Sequence, residues 1–249
     1  MLATVLVVPF CLPGNKSLLS RHNGVVPTTK DGETVVAGEA VRNGHGRAVK
    51  AKLWTPNIIE RIDEPLDAIC WLMKDPTLPP VVKLTGASLA AVMGSTLATK
   101  RTSAERLAPG VDPDALVIEC YANPFRTYPL EMDYTRFRSL FEDGVACYII
   151  NTGFFMDKKI PKELTLEIIE KIVEDSAEWK PLNEIPGMEI MEIPGFVPDF
   201  SDANYKQQFI NRMNDRMKFV KARETEKGGI DKLPQDAIDA LEKVISNIK

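Results

Sequence analysis

Hydrophobic positions change their spacing several times after residue 52, and these changes predict alternating strands and helices. Runs of apolar and β-prone residues predict strands at 67–73, 114–121 and 145–150. Between and after them, apolar residues recur at helical spacing over 85–100, 130–144, 165–174, 202–226 and 234–248. Strands that alternate with helices favour an α/β (mixed α+β) domain. The pattern therefore predicts a mixed sheet flanked by helices, with two further helices at the C-terminal end.

The clearest amphipathic pattern belongs to the helix predicted at Thr165–Glu174. Its apolar residues fall on one stripe, as expected for a helix that buries one face. The members of the stripe are Leu164, Ile168, Ile169, Ile172 and Val173.

The first fifty residues differ from the rest, because Gly, Pro and Asn clusters interrupt short β-prone pieces. A turn-rich β segment over 1–46 is therefore predicted, and one interpretation of it is the remainder of an upstream domain. A lobe of alternating strands and helices over 47–200 follows it, and a helical extension over 201–249 completes the predicted division.

Composition is that of a globular protein, with 44% hydrophobic and 27% charged residues. The apolar run at the N-terminus is too short to span a bilayer and has no basic leader, which predicts a cytoplasmic protein without a membrane partner. A net charge of -4 with no long basic run argues against nucleic-acid binding. The four cysteines lack ligand-like spacing and only two histidines are present, so neither a disulfide framework nor a histidine-rich metal site is expected.

The first candidate site is the abrupt end of the strand at 145–150. Asn151, Thr152 and Gly153 follow it, and then come Lys158 and Lys159 and the helix that begins near Thr165. Ligands of open α/β sheets gather beyond the carboxyl ends of strands, and a helix N-terminus offers free N–H groups to an anion. The alternative interpretation is an ordinary turn beside a solvated pair of lysines.

A second candidate is the basic, glycine-containing segment at 42–50, where Arg47 could grip a phosphate with two hydrogen bonds. A hairpin loop with exposed charges is the alternative. By contrast, the segment Gly14–Ser17 does not meet the requirements of a Walker A loop, because Asn15 separates the glycine from Lys16.

Several motifs in order resemble the C-terminal lobe of ATP-dependent phosphoenolpyruvate carboxykinase. They are "GRAVKAKLWTPNII", "LPPVVKLT", "TLATK", "CYANPFRTYPLEMDYTRF" and "ACYIINTGFF", followed by a basic residue and Thr165 at a helix entrance. The resemblance extends over roughly 47–193. It implies a carboxykinase-like fold for the lobe and a nucleotide, ATP, as its ligand.

The resemblance also implies roles for individual residues. Arg47 would contact nucleotide phosphates and the reactive phosphoryl group as the catalytic residue. Lys159 and Thr165 would hold the adenosine end of ATP, with Asn151, Thr152 and Gly153 forming the adjoining binding loop. Lys159 stands where the family usually has arginine, so a planar stacking contact becomes a point charge.

The parts of the family that carry the chemistry lie upstream of the matching region. They are a phosphate-binding P-loop and the metal-binding residues, none of which is recognisable in this sequence. Mg or Mn would therefore bind only through residues outside this chain, the partner would be an upstream catalytic lobe, and the chain is not expected to be active alone. The complete enzyme would convert oxaloacetate and ATP to phosphoenolpyruvate, CO2 and ADP.

Two alternatives stay open. The chain could be a non-catalytic carboxykinase-like domain that binds another anion or a protein partner. The long C-terminal helices could also mediate assembly through Met213 and Met217, although methionine at helical spacing is typical of core packing.

Overall fold

The computed structural model describes residues 65–100, 109–112, 115–123 and 126–248. The chain divides into two compact units. The larger takes in Leu66–Thr99 and Val117–Lys249 together with residues 1–4, and the sheet, core and helices described below belong to it. The smaller takes in Val5–Pro65 and Lys100–Leu116, and its described residues are 65, 100, 109–112, 115 and 116.

The turn-rich segment predicted over 1–46 lies outside the described residues, and so does Arg47. The two C-terminal helices share the larger unit with the sheet. The predicted division at 46 and 200 stays a prediction.

Within the described residues, five strands form one mixed sheet in the order β1-β5-β2-β9-β8. Strand β1 runs parallel to β5, with Ala68 opposite Ala146 and Met73 opposite Asn151, whereas the other neighbouring pairs are antiparallel. Two further pairs, β3-β4 and β6-β7, form small two-stranded sheets. The strands are β1 (Ala68–Met73), β2 (Val81–Leu84), β3 (Ala98–Lys100), β4 (Leu116–Ile118), β5 (Ala146–Asn151), β6 (Phe154–Phe155), β7 (Lys158–Lys159), β8 (Lys180–Pro181) and β9 (Met188–Ile190).

Helices flank this sheet, which confirms the predicted fold class. Asp202 caps the longest helix, since its side chain accepts hydrogen bonds from the backbone N–H groups of Asn204 and Tyr205 at 2.8 and 3.4 Å. The helices are α1 (Ala87–Ser95), α2 (Leu130–Glu142), α3 (Lys162–Val173), α4 (Ala203–Ala222) and α5 (Gln235–Ser246), with short 3₁₀ turns at Cys120–Ala122 and Glu226–Gly229.

The core lies on both faces of the sheet. The larger cluster joins Trp71 and Ile149 of the sheet to α1, which is buried along most of its length, and to the C-terminal helices through residues such as Phe209 and Leu241. The smaller cluster covers the opposite face, where Ile168 of α3 packs near Ile150. Met213 and Met217 belong to the larger cluster, so both are core residues.

Two helix predictions need correction. The helix expected over 85–100 ends at Ser95, and 98–100 is a strand. The hydroxyl groups of Ser95 and Thr96 donate to the carbonyl of Val92, at 2.8 and 3.0 Å, and such local bonds compete with helix continuation. The single apolar stripe expected for α3 is also wrong, because Ile169 and Val173 are exposed.

Gly94 lies in α1 at a point where the helix touches two aromatic rings. An added Cβ would lie 2.7 Å from Trp71 Cζ2 and 2.7 Å from Tyr121 Cε1. Alanine would favour the helix by about 1 kcal/mol, but overpacking of a tight core costs about 1–3 kcal/mol. We therefore expect Gly94→Ala to lower the free energy of unfolding in a urea titration. Gly86→Ala is the control, since its Cβ would meet Leu89 Cβ at an ordinary 3.8 Å. If both changes altered the free energy of unfolding equally, crowding at Gly94 would not be the cause.

Candidate functional site

A surface depression of about 640 Å³ lies where β5 ends and α3 begins. Three of the residues predicted for the site line it: Thr152, Lys159 and Thr165. The other lining residues are Ile160, Pro161, Lys162, Glu163 and Leu166. We call this depression the α3 groove.

The groove adjoins the carboxyl ends of two parallel strands. Because β1 and β5 are parallel and in register, Met73 and Asn151 end at the same edge of the sheet. Thr152 continues this pairing, since its backbone N–H donates to the carbonyl of Met73 at 2.9 Å and its hydroxyl donates to the same oxygen at 3.3 Å. The edge position agrees with the usual location of ligands in such sheets.

Asn151 is buried, and its side chain is occupied by protein groups. Its Nδ2 donates to the carbonyls of Asp75, Leu78 and Phe154 at 2.7, 2.7 and 3.0 Å. Its Oδ1 accepts the backbone N–H of Gly153 at 3.1 Å. The amide of Asn151 therefore connects the loop after β1 to the loop after β5, and it fixes the backbone next to Thr152, which lines the groove.

Gly153 allows a close approach between these two loops. A Cβ at this position would lie 3.2 Å from Lys74 Cβ and 3.4 Å from Lys74 Cα. The carbonyl of Gly153 accepts the backbone N–H of Ile160 at 3.0 Å, which closes the β6-β7 hairpin onto the strand end. Its small size thus serves the packing of the loop.

The β6-β7 hairpin separates its two lysines onto opposite faces. Phe155 pairs with Lys158 and Phe154 pairs with Lys159 across the hairpin, and directly opposite residues share a face. Phe155 is buried against Tyr205, with ring centroids 5.7 Å apart. Lys158 Nζ donates to the carbonyl of Gly195 at 3.3 Å and lies 4.2 Å from the ring centroid of Phe196.

The outer face of the hairpin carries Phe154 and Lys159, both of which are exposed. In the part of the chain that the structure describes, no carboxylate forms an ion pair with Lys159. The exposed ring of Phe154 is therefore the cross-strand neighbour of Lys159, and Lys159 lines the α3 groove.

The N-terminal turn of α3 forms the other wall of the groove. Pro161 is the N-cap, and its side chain makes no capping hydrogen bond to the first N–H groups. These groups carry the partial positive charge of the helix dipole. Lys162 adds a cation, which is 3.7 Å from Glu163, and Thr165 Oγ1 donates to the carbonyl of Pro161 at 3.4 Å.

The predicted site residues thus divide by position. Thr152, Lys159 and Thr165 line one groove, whereas Asn151 and Gly153 build the loop behind it. Their roles as ligand contacts stay a prediction. Phe154 and Lys162 were missed by sequence reasoning; alternation along a short hairpin was the signal that could have paired Phe154 with Lys159.

A buried ionic cluster lies beside the groove loops and was also missed. Asp75, with no exposed surface, accepts from Arg216 Nη2 at 2.6 Å and from Arg212 Nε at 3.1 Å. Arg216 is 1% exposed and also donates to the carbonyl of Thr96. Thr77 donates to Asp75 Oδ1 through its hydroxyl at 2.8 Å and its backbone N–H at 3.1 Å.

The charge balance of the cluster sets the ionisation of Asp75. Burial raises the pKa of its carboxyl, but Arg216, Arg212 and the hydrogen bonds from Thr77 more than offset burial, so the pKa lies below its ordinary value. Asp75 is therefore held as a carboxylate that anchors α4 to the end of β1.

Among the residues that the structure describes, no group of three or more His, Cys, Asp or Glu side chains is placed to hold a metal ion. In the same part of the chain, no helix is both long enough and apolar enough to cross a bilayer.

The chain is similar to phosphoenolpyruvate carboxykinase (ATP) from Aeropyrum pernix. The two are 24% identical over 167 residues, which cover 63% of this chain and 32% of that protein. The matched region thus spans about a third of the length of the relative, and the identity supports a distant relationship. No protein-family model matches the chain.

Proposed function

We propose that residues 47–200 are the nucleotide-covering lobe of a carboxykinase-like protein and that the α3 groove receives ATP. The observation that carries the proposal is the meeting of Thr152, Lys159 and Thr165 in one open groove at the carboxyl ends of parallel strands. The distant similarity to an ATP-dependent carboxykinase supports the choice of ligand.

In this proposal the nucleoside end of ATP lies over the outer face of the hairpin. Phe154 offers the flat surface for the base, and base–aromatic stacking contributes about 1–3 kcal/mol. Lys159 donates hydrogen bonds as a point charge, so the ring of Phe154 and the ammonium of Lys159 together take the place of a stacking arginine. The hydroxyl of Thr165 contacts the ribose side.

The phosphates would point toward the positive end of α3. The free N–H groups after Pro161 and the ammonium of Lys162 favour an anion there. Arg47, outside the described residues, would stabilise the charge on the transferred phosphoryl group. Mg or Mn would bind through an upstream catalytic lobe, which would complete the conversion of oxaloacetate and ATP to phosphoenolpyruvate, CO2 and ADP.

A calorimetric titration of Mg-ATP into the full chain tests the proposal. Lys159→Ala removes a cation that contacts ATP in this proposal, so we expect it to weaken binding about tenfold, or about 1.4 kcal/mol. Lys159 forms no ion pair among the described residues, so the change should leave the fold intact. Lys218→Ala, which removes an exposed lysine of α4, is the matched control and should leave affinity unchanged. Equal affinities of the two variants, or no binding of Mg-ATP to the unaltered chain, would overturn the assignment.

Pyrophosphate distinguishes a nucleotide site from a general anion site. The proposal expects Mg-ATP to bind more tightly than Mg-pyrophosphate and expects Phe154→Ala to remove that difference, since the ring contacts only the base. Equal binding of the two ligands to the unaltered chain would favour the alternative of a non-catalytic domain that binds another anion.

A further inference from the structure

Helix α3 presents apolar residues on two faces. Leu164, Ile168 and Ile172 face the sheet and pack on the smaller core cluster. Leu166, Ile169 and Val173 are 65%, 37% and 79% exposed. Their spacing of three and four residues places them on one outward stripe.

A row of carboxylates runs along one side of the outward stripe. Glu163, Glu167, Glu170 and Glu174 follow one another at spacings of four, three and four residues, and all are exposed. Glu167 pairs with Lys171 at 2.8 Å. An apolar stripe and an acidic row therefore lie side by side; Glu163 and Glu167 are paired with lysines of α3, whereas Glu170 and Glu174 form no ion pair in the described part of the chain.

We propose that this surface, the α3 outer face, docks a basic amphipathic helix of a partner protein. An amphipathic helix buries residues at the i, i+3 and i+7 positions in such contacts, which matches Leu166, Ile169 and Val173. Lysine or arginine along one edge of the partner would complement the acidic row, and charge complementarity steers and orients such pairs. Leu166 and Glu163 lie at the border of the α3 groove, whereas Ile169, Glu170, Val173 and Glu174 do not line it, so the changes that test the docking surface are made at residues outside the groove.

A second copy of this chain fits the surface less well. In a two-fold arrangement of antiparallel helices, the same surface meets itself. The two acidic rows would then lie on the same side of the contact and repel each other. An acidic row likewise disfavours an anionic bilayer surface, which attracts lysine and arginine.

The test uses the full chain and a pair of fluorescein-labelled helical peptides. Both peptides carry leucine at i, i+3 and i+7; one has lysine along the adjoining edge and the other has glutamate at the same positions. Fluorescence anisotropy should give at least tenfold tighter binding of the lysine peptide. Val173→Asn and the pair Glu170→Gln with Glu174→Gln should each weaken that binding about tenfold.

Ile230→Asn is the matched control, since Ile230 is an exposed apolar residue that does not belong to α3. The chain should fold in every variant because the altered side chains are exposed, and its affinity for Mg-ATP should not change. Equal binding of the two peptides, or binding that Val173→Asn leaves unaltered, would overturn the proposal. A dimer in sedimentation analysis that Val173→Asn dissociates would overturn it in favour of a second copy.

Discussion

Replacing Asp75 by alanine is expected to lower the free energy of unfolding by about 3–5 kcal/mol, the cost of leaving a buried charge without its partner. The change removes the carboxylate that Arg216 contacts at 2.6 Å, while the guanidinium of Arg216 stays buried. Urea unfolding monitored by circular dichroism measures the loss. The matched control is Asp215→Ala, which removes a half-exposed carboxylate that lies 4.0 Å from Arg212. Surface pairs of this kind contribute about 0–1 kcal/mol, so similar losses in both variants would contradict the role of the cluster.

The unaltered chain and Asp75→Ala should differ less in their free energy of unfolding at acidic pH than at neutral pH. The pKa of Asp75 is lower in the folded chain than its ordinary value, so the unfolded chain binds more protons over the interval between the two pKa values. The contribution of Asp75 is complete above the unfolded pKa and is lost as the pH falls through the folded pKa. Urea midpoints of both chains at neutral and acidic pH measure this effect, and a constant difference would be inconsistent with it.

Replacing Asn151 by alanine is expected to lower the free energy of unfolding by about 2–4 kcal/mol, because buried carbonyl groups lose their donor. The carbonyls of Asp75 and Leu78 each lie 2.7 Å from Nδ2. The same change releases the Gly153 N–H, which loosens the loop that bears Thr152. We therefore expect weaker Mg-ATP binding in calorimetry, although Asn151 does not line the groove.

Asn151→Asp removes the hydrogen-bond donor while it keeps the volume of the side chain nearly unchanged, so it distinguishes the two contributions. Aspartate keeps the acceptor for Gly153 but turns an oxygen toward three carbonyls. Burial and these carbonyls raise the pKa of the new carboxyl, so this variant should lose more stability than Asn151→Ala at neutral pH and regain part of it in acid. Chemical denaturation at the two pH values, each compared with the unaltered chain, checks this order. A variant as stable as the unaltered chain at neutral pH would contradict the proposed hydrogen bonding.

Local pattern was enough to predict the elements that bury one regular face. Strand β5 was predicted at 145–150 and is observed at Ala146–Asn151, and helix α3 was predicted at 165–174 and is observed at Lys162–Val173. Helical spacing located α3, but it did not show which of its apolar residues are buried. Strands β2 and β9 carry only four and three residues, and no alternation that short distinguishes a strand from a loop. Their assignment depends on pairing with β5 and with each other, which sequence periodicity does not contain.

The grouping of three candidate residues around one groove was predictable from their closeness along the chain, and their roles stay a prediction. Thr152, Lys159 and Thr165 lie within fourteen consecutive residues of one strand–hairpin–helix unit. The side-chain amide of Asn151 is bonded to the carbonyls of Asp75 and Leu78, which lie more than seventy positions away, so its orientation was not predictable from the local sequence. The bond between Asp75 and Arg216 joins residues 141 positions apart, and no local pattern indicates it.

The long stretch of sequence between Asp75 and Arg216 also determines when the chain can complete its core during synthesis. Asp75 and the sheet strands leave the ribosome well before Arg216 and the α5 residues Leu241 and Val244, which complete the larger cluster. Until then the nascent chain exposes the apolar surface around Trp71 and α1, and distant contacts of this kind form slowly. Expression at reduced translation rate would prolong that interval, so the yield of folded protein should depend on the chaperones that cover emerging apolar segments.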